Sequence, residues 1–296
     1  MKTLSDPSTP LSDPGAPLSN PSKIPGKIPG KIPGKILKKY IVITKVSFSN
    51  AIAYRGAAFS QICFYTLFIY IFMSLWRAIY QEGSVHGYDY TQLVWYLIMT
   101  EFISFVCGTT IFNNMNDDVK SGSIAYHLGR PTHYVFYQFA NSLGQTLLNF
   151  MIFGILACIL GLIFVGPLPS FTLVQVPPLI LSIALSILLN YFFLMLIGLS
   201  AFIMEENFSL YLIYRNLNFM LGLFLPVEFL PFWLQDIAKN LPFSYIFWAP
   251  AKIFVAYSPQ LCWELIPRQG AWTAAAIALV LFCYRLSARR LHINGG

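Results

Sequence analysis

The sequence predicts an all-α polytopic membrane protein with six transmembrane helices and short re-entrant or interfacial helices before the last of them. Three observations carry this prediction. The 296-residue chain is 56% hydrophobic, 17% aromatic and only 10% charged, with a mean hydropathy of +0.62, which is too little charge to cover a soluble domain of that length. Six apolar stretches approach the ~20 residues a helix needs to cross hydrocarbon: Ala57 to Trp76, Leu93 to Phe112, Leu143 to Val165, Pro177 to Phe202, Leu210 to Leu225 and Ala271 to Leu286. Between the fifth and sixth, Pro226, Pro231, Pro242, Pro250, Pro259 and Pro267 interrupt an otherwise apolar run. A continuous spanning helix does not survive prolines at that spacing.

Taken in order, residues 1–35 are rich in Pro, Ser and Gly and end in three tandem repeats, Lys23-Ile24-Pro25-Gly26, Lys27 to Gly30 and Lys31 to Gly34. Pro and Gly every four residues exclude a helix, so a disordered tail is expected. Its lysines suit a tether to anionic lipid; a dispensable low-complexity extension is the plainer reading. The tail has no apolar core of the kind a cleaved signal sequence needs, so the first span is expected to act as the insertion signal. Over residues 36–56, Leu37, Tyr40, Ile41, Thr44, Phe48 and Ile52 share one helical face while Lys38, Lys45 and Ser49 fall elsewhere, the pattern of an amphipathic interfacial helix. The spans occupy 57–290, and 291–296 form a short tail. The fifth span is the weakest, being short and carrying Arg215. In the proline-rich segment Pro231 opens a short helix with Trp233, Leu234, Ile237, Ala238 and Leu241 on one side. Re-entrant or interfacial helices fit there, because irregular backbone at membrane depth must be shielded by protein or water.

An even number of spans puts both termini on one side, and Lys and Arg choose which. Nine precede Ala57, two lie in the loop Asn113 to Gln138 and three follow from Arg285, against Arg77, Lys239, Lys252 and Arg268 on the other side. The positive-inside bias places both termini and the Asn113 loop in the cytoplasm. The formal net charge of +7 is mostly this asymmetry and does not indicate nucleic acid. Four of the five cysteines, Cys63, Cys107, Cys158 and Cys283, lie in apolar spans, which indicates neither a disulfide framework nor a zinc site.

The chain has no GxxxxGK[ST], since the glycines of its Gly-Lys repeats are too closely spaced, and none of the nucleophile or metal motifs GxSxG or HExxH. No catalytic or metal-ligating set is therefore assigned, and the chain is read as a non-enzyme. His86, His127, His133 and His292 read as ordinary solvated histidines. The informative polar residues lie within spans. Glu101 sits mid-span, where a carboxylate is costly and normally faces protein or water, with Ser104 and Gly108 on its face. It lines a path, meets Arg215, or makes a structural hydrogen bond to a neighbouring helix. Tyr211, Arg215, Asn218 and Gly222 form a polar stripe in the fifth segment, and Asn141, Gln145, Asn149 and Ser182, Ser186, Asn190 do the same in the third and fourth. Glu101, Arg215 and Asn218 are the candidates for a transport path.

Between the second and third spans lies a polar island, Asn116-Asp117-Asp118-Val119-Lys120-Ser121-Gly122-Ser123-Ile124-Ala125-Tyr126-His127-Leu128-Gly129-Arg130-Pro131, much longer than a connection requires. Together with Ala53-Tyr54-Arg55 before the first span, Trp76-Arg77-Ala78-Ile79-Tyr80 after it and the proline-rich segment, it resembles the type-2 ATP-binding-cassette (ABC) exporter permeases. The resemblance runs from about Lys38 to Arg290. It implies a permease subunit in a bacterial inner membrane, paired with a second permease as homodimer or heterodimer over two ABC ATPase subunits that hold the ATP and magnesium. It further implies that the loop from Asp117 to Leu128 is the coupling element, with Asp117, Asp118, Lys120 and Gly122 at the ATPase contact. The plainer reading is a solvated, N-capped loop. A secondary transporter or channel working through Glu101 and Arg215 is the rival class, although the inverted repeats common among such folds are not evident. An apolar, aromatic interior favours an amphipathic or lipid-like substrate.

Overall fold

The computed structural model describes residues 33–53, 56–80, 87–128, 132–168, 171–202, 204 and 207–294, and the protein is an all-α membrane bundle. Its helices are α1 (Pro33–Ala53), α2 (Gly56–Ile79), α3 (Tyr90–Cys107), α4 (Thr110–Lys120), α5 (Ile124–Leu128), α6 (Tyr134–Phe164), α7 (Val176–Leu199), α8 (Phe208–Asn218), α9 (Phe232–Asn240), α10 (Ser244–Val255) and α11 (Pro259–Asn294). The expected tail lies outside the described residues as far as residue 32. The turn joining α4 to α5 marks one end of the bundle, called here the loop end. The turn between α6 and α7 and the start of α3 mark the other, the hairpin end.

Among the described residues, five helical stretches are long and apolar enough to cross a membrane: Phe59–Ile79, Tyr90–Lys120, Tyr134–Phe164, Leu173–Phe202 and Pro259–Leu286. The expected fifth span, Leu210 to Leu225, takes a different form. α8 passes into a π-helical turn, Phe219–Leu223, and the backbone breaks at Gly222, so the two pieces together rise only ~24 Å against a core of ~30 Å. The break is stabilised from α3, whose Tyr96 hydroxyl donates to the carbonyls of Gly222 at 2.6 Å and Leu225 at 3.3 Å. Pro226 then forbids a return to the helix.

The proline-rich segment folds as a re-entrant hairpin. α9 and α10 meet deep in the bundle, where Ser244 Oγ donates to the Ala238 carbonyl at 2.7 Å and the Tyr245 hydroxyl to the Lys239 carbonyl at 2.8 Å. Depth is fixed by Gln269, fully buried ten residues into α11. Its Nε2 donates to the Tyr245 carbonyl and to Ser186 Oγ of α7, both at 2.9 Å, and its Oε1 accepts from Ser182 Oγ at 2.9 Å. From there α10 climbs back to the hairpin end, where the Val255 carbonyl accepts from Gln92 Nε2 in the first turn of α3.

In hydrocarbon, helices associate through close packing and hydrogen bonds rather than through apolar burial, and the small residues show where. A Cβ on Gly144 would lie 2.5 Å from the backbone nitrogen of Phe48, so α1 crosses the base of α6 nearly backbone to backbone. Thr44 Oγ1 there donates to the Ala140 carbonyl at 3.0 Å, and Ser47 Oγ to that of Asn141. Near the hairpin end the Trp95 indole occupies the space a side chain at Gly161 would need, and its Nε1 donates to the Gly166 carbonyl at 3.1 Å. α3 is the axis of the bundle, packed by α6, α7 and α10, whereas α2 lies outside with Phe59, Phe64, Leu67 and Tyr70 exposed.

Candidate functional site: a mid-bundle cavity and the turn at the loop end

Glu101 on α3 and the polar stripe of α8 face the same space. A cavity of about 420 Å³ is lined by Glu101, Ser104 and Gly108 from α3, Asn190 from α7, and Arg215 and Asn218 from α8. The three candidates for a transport path are thus brought together, as the helical spacing of each stripe implies. Phe64 and Phe68 of α2, Phe219 and Phe247 supply aromatic walls.

Two buried polar groups in this cavity lack partners among the described residues. Glu101 is 5% exposed and, among the described residues, has neither an ion pair nor a side-chain hydrogen bond; it shares the space with Arg215 without pairing to it. Asn218 is equally buried and its Oδ1 has no partner. Asn190 Oδ1, by contrast, accepts from the Tyr214 hydroxyl at 2.7 Å. Arg215 is exposed and reaches Tyr211, whose ring stacks on Phe112 at 4.8 Å. Buried polar groups without partners are costly, and a guest that hydrogen-bonds to them would offset that cost.

At the loop end α3 does not run straight into α4. Gly108 takes φ 52° and ψ −175°, a backbone that opens the helix before Thr110 restarts it. α4 then leans on α7, where Gly198 admits the Met115 side chain. The α4–α5 turn is closed by Gly122 at φ 74°. Open space surrounds Gly122, so glycine is required there by the left-handed backbone and not by crowding.

The two aspartates of the loop face opposite ways. Asp117 is exposed, as are Lys120 and Gly122. Asp118 turns inward and its side chain is only 17% exposed. Its Oδ2 accepts from the Tyr134 hydroxyl at 2.8 Å and Gln138 Nε2 at 2.6 Å, and its Oδ1 from Ser123 Oγ at 3.0 Å. His127 Nε2 stands 3.6 Å from the same oxygen, and its ring packs on those of Tyr134 and Tyr137. This corrects the reading of His127 as a solvated histidine: the ring fills the angle between α5 and α6. His86 and the side chain of His292 lie outside the described residues.

The hairpin end carries a cluster that the sequence reading missed. Glu228, in a 3-10 turn (Val227–Phe229), is 2.9 Å from Lys252 Nζ and accepts from the Tyr88 hydroxyl at 3.0 Å and Trp248 Nε1 at 3.2 Å. Lys252 Nζ also lies 2.7 Å from the Tyr88 hydroxyl. Burial by itself pushes the Glu228 carboxyl up, but the ammonium of Lys252 and the donated hydrogen bonds outweigh it and hold the group below the usual carboxylate range. Burial, and then the neighbouring Glu228, push the Tyr88 phenol upward. Opposite charges within an apolar segment were the only available signal.

A family model described as ABC-2 family transporter protein matches residues 65–295. The chain belongs to the ABC-2 transporter family. It is therefore a multi-pass permease subunit of an ABC transporter, a membrane component that works with an ABC ATPase and is not itself the catalytic chain. No curated protein matches the chain.

Proposed function

We propose that this ABC-2 permease moves an amphipathic or lipid-like substrate out of the cytoplasm across a bacterial inner membrane, driven by ATP hydrolysed on a separate ATPase subunit. The loop end and both termini are cytoplasmic in this reading, in line with the Lys and Arg bias, and α1 lies in the cytoplasmic interface. Two permeases, identical or different, pair over two ATPases. The observation that carries the reading is the tip of the α4–α5 turn: Asp117, Lys120 and Gly122 are exposed on a hydrogen-bonded turn at the end of a membrane-length helical stretch. Such a tip suits a cleft on another subunit. Nucleotide would bias the pair between inward-open and outward-open states, with the Glu101, Arg215 and Asn218 cavity as part of the path. Aromatic walls around a few polar groups suit a guest that is apolar with a polar end.

The purified chain alone is expected to hydrolyse no ATP, and to bring down an ABC ATPase subunit when isolated from its native membrane. Asp117→Lys should weaken that association by roughly 30-fold or more, the effect of breaking one charged contact in an interface. Full transport by the chain with no ATPase present would favour the other reading, a secondary transporter or channel using Glu101 and Arg215. Unchanged association in the variant would remove Asp117 from the contact.

A further inference from the structure

We infer that Asp118 is a positioning residue, a strut that fixes the coupling turn to the base of α6 so that displacement of the turn is passed into the bundle. This rests on the proposed coupling role of the turn.

The argument begins with direction. A residue that meets a partner subunit presents its polar atoms outward, and Asp118 does the reverse: donors from Ser123, Tyr134 and Gln138 cover its two oxygens, and Tyr134 and Gln138 are 1% and 2% exposed. Asp117, one position earlier, is exposed.

The partners of Asp118 lie on two different elements. Ser123 belongs to the turn itself; Tyr134 and Gln138 stand one helical turn apart at the start of α6, and Gln138 Nε2 also meets the Tyr134 hydroxyl at 3.0 Å. The Tyr134 ring stacks on Tyr284 of α11, with planes 17° apart. One carboxylate therefore joins the turn to α6 directly and to α11 through a ring. On the other side the turn connects to α3 along the chain through the opened backbone at Gly108. A push on the turn meets a joint toward α3 and a set of hydrogen bonds to a charged group toward α6. Packed, hydrogen-bonded connections of the second kind carry coupling between distant sites.

The test separates a strut from a docking contact. In Asp118→Asn, amide hydrogen exchange across residues 117–128 of the purified chain should accelerate roughly tenfold, the loss of one hydrogen bond to a charged group. Affinity for the co-purified ATPase should stay within about twofold, while substrate moved per ATP hydrolysed in reconstituted vesicles should fall about fivefold or more, as a coupling interaction of roughly 1 kcal/mol implies. Loss of affinity with unchanged exchange would make Asp118 a docking residue and overturn the strut. Unchanged exchange and unchanged coupling would overturn it too. Should Asp118→Asn fail to fold, Tyr134→Phe, which removes one donor and keeps the ring, carries the same prediction at smaller size. Failure of any ATPase to bind the wild-type chain would sink the exporter reading, and the exchange measurement would still decide whether Asp118 holds the turn.

Discussion

Glu228 at the hairpin end is a partly buried carboxylate and Glu101 in the middle of the bundle a buried one, and their surroundings are opposite. Glu228 has an ammonium at 2.9 Å and hydrogen bonds from a phenol and an indole. Among the described residues Glu101 has none of these, and it opens on a cavity. Asp118 at the loop end resembles Glu228, with donors on both oxygens. Carboxylates at the two ends thus fasten elements together, while the one between them is left unengaged. A buried polar group without a partner is retained at a cost in stability, so the cavity, and not the framework, is where a guest has something to gain.

Four variants would break or sharpen this contrast. The largest loss is expected for Lys252→Met, which removes the ammonium from the partly buried Glu228; about 2 kcal/mol of stability should go, seen as a lower melting temperature in detergent. Because Glu228 is held below its unfolded value of about 4.3, its contribution is complete above that pH and disappears as pH falls through the lower folded value. The wild-type protein should therefore lose stability in acid more steeply than Lys252→Met, and equal slopes would mean that the pair is not what holds the cluster. Next comes Tyr134→Phe, with about 1.5 kcal/mol lost from the removed bond to Asp118, measured by the same melt. Gly122→Ala should cost about 1 kcal/mol through its left-handed backbone alone, and crowding cannot enlarge the figure because space around it is open. The smallest stability effect belongs to Glu101→Gln, expected to be neutral or slightly stabilising while substrate transport changes. A loss of several kcal/mol there would reveal a partner for Glu101 and erase the contrast.

The bundle was largely legible in the sequence because length and apolarity suffice to mark α2, α3, α6, α7 and α11. Spacing also placed Glu101, Ser104 and Gly108 on one face and Arg215 and Asn218 on another, so their meeting in one cavity needed only that the two faces pack. The fifth element was less legible. Its apolar composition reads as a span, whereas Gly222 and Pro226 decide its length, and their effect depends on the Tyr96 hydroxyl of another helix. The division of labour between Asp117 and Asp118 was not legible at all: adjacent residues point about 100° apart on a helix, and only the rotation of α4 against α6 says which faces in. The Glu228 and Lys252 pair escaped because the two residues lie at the two feet of a hairpin, and the spacing between them does not say where the chain folds back.

The clamp made by Gln269 bears on the order in which the protein is completed during synthesis. The carbonyl of Tyr245 and the hydroxyls of Ser182 and Ser186 emerge from the ribosome before α11 exists, and their shared partner arrives only with α11. Until then the tip of the hairpin has no such anchor at mid-depth, and a nascent chain ending before Pro259 leaves α9 and α10 without the contact that sets how far they enter. A helix made after the hairpin is thus the one that seats it, so damage to α11 would be felt in α9 and α10.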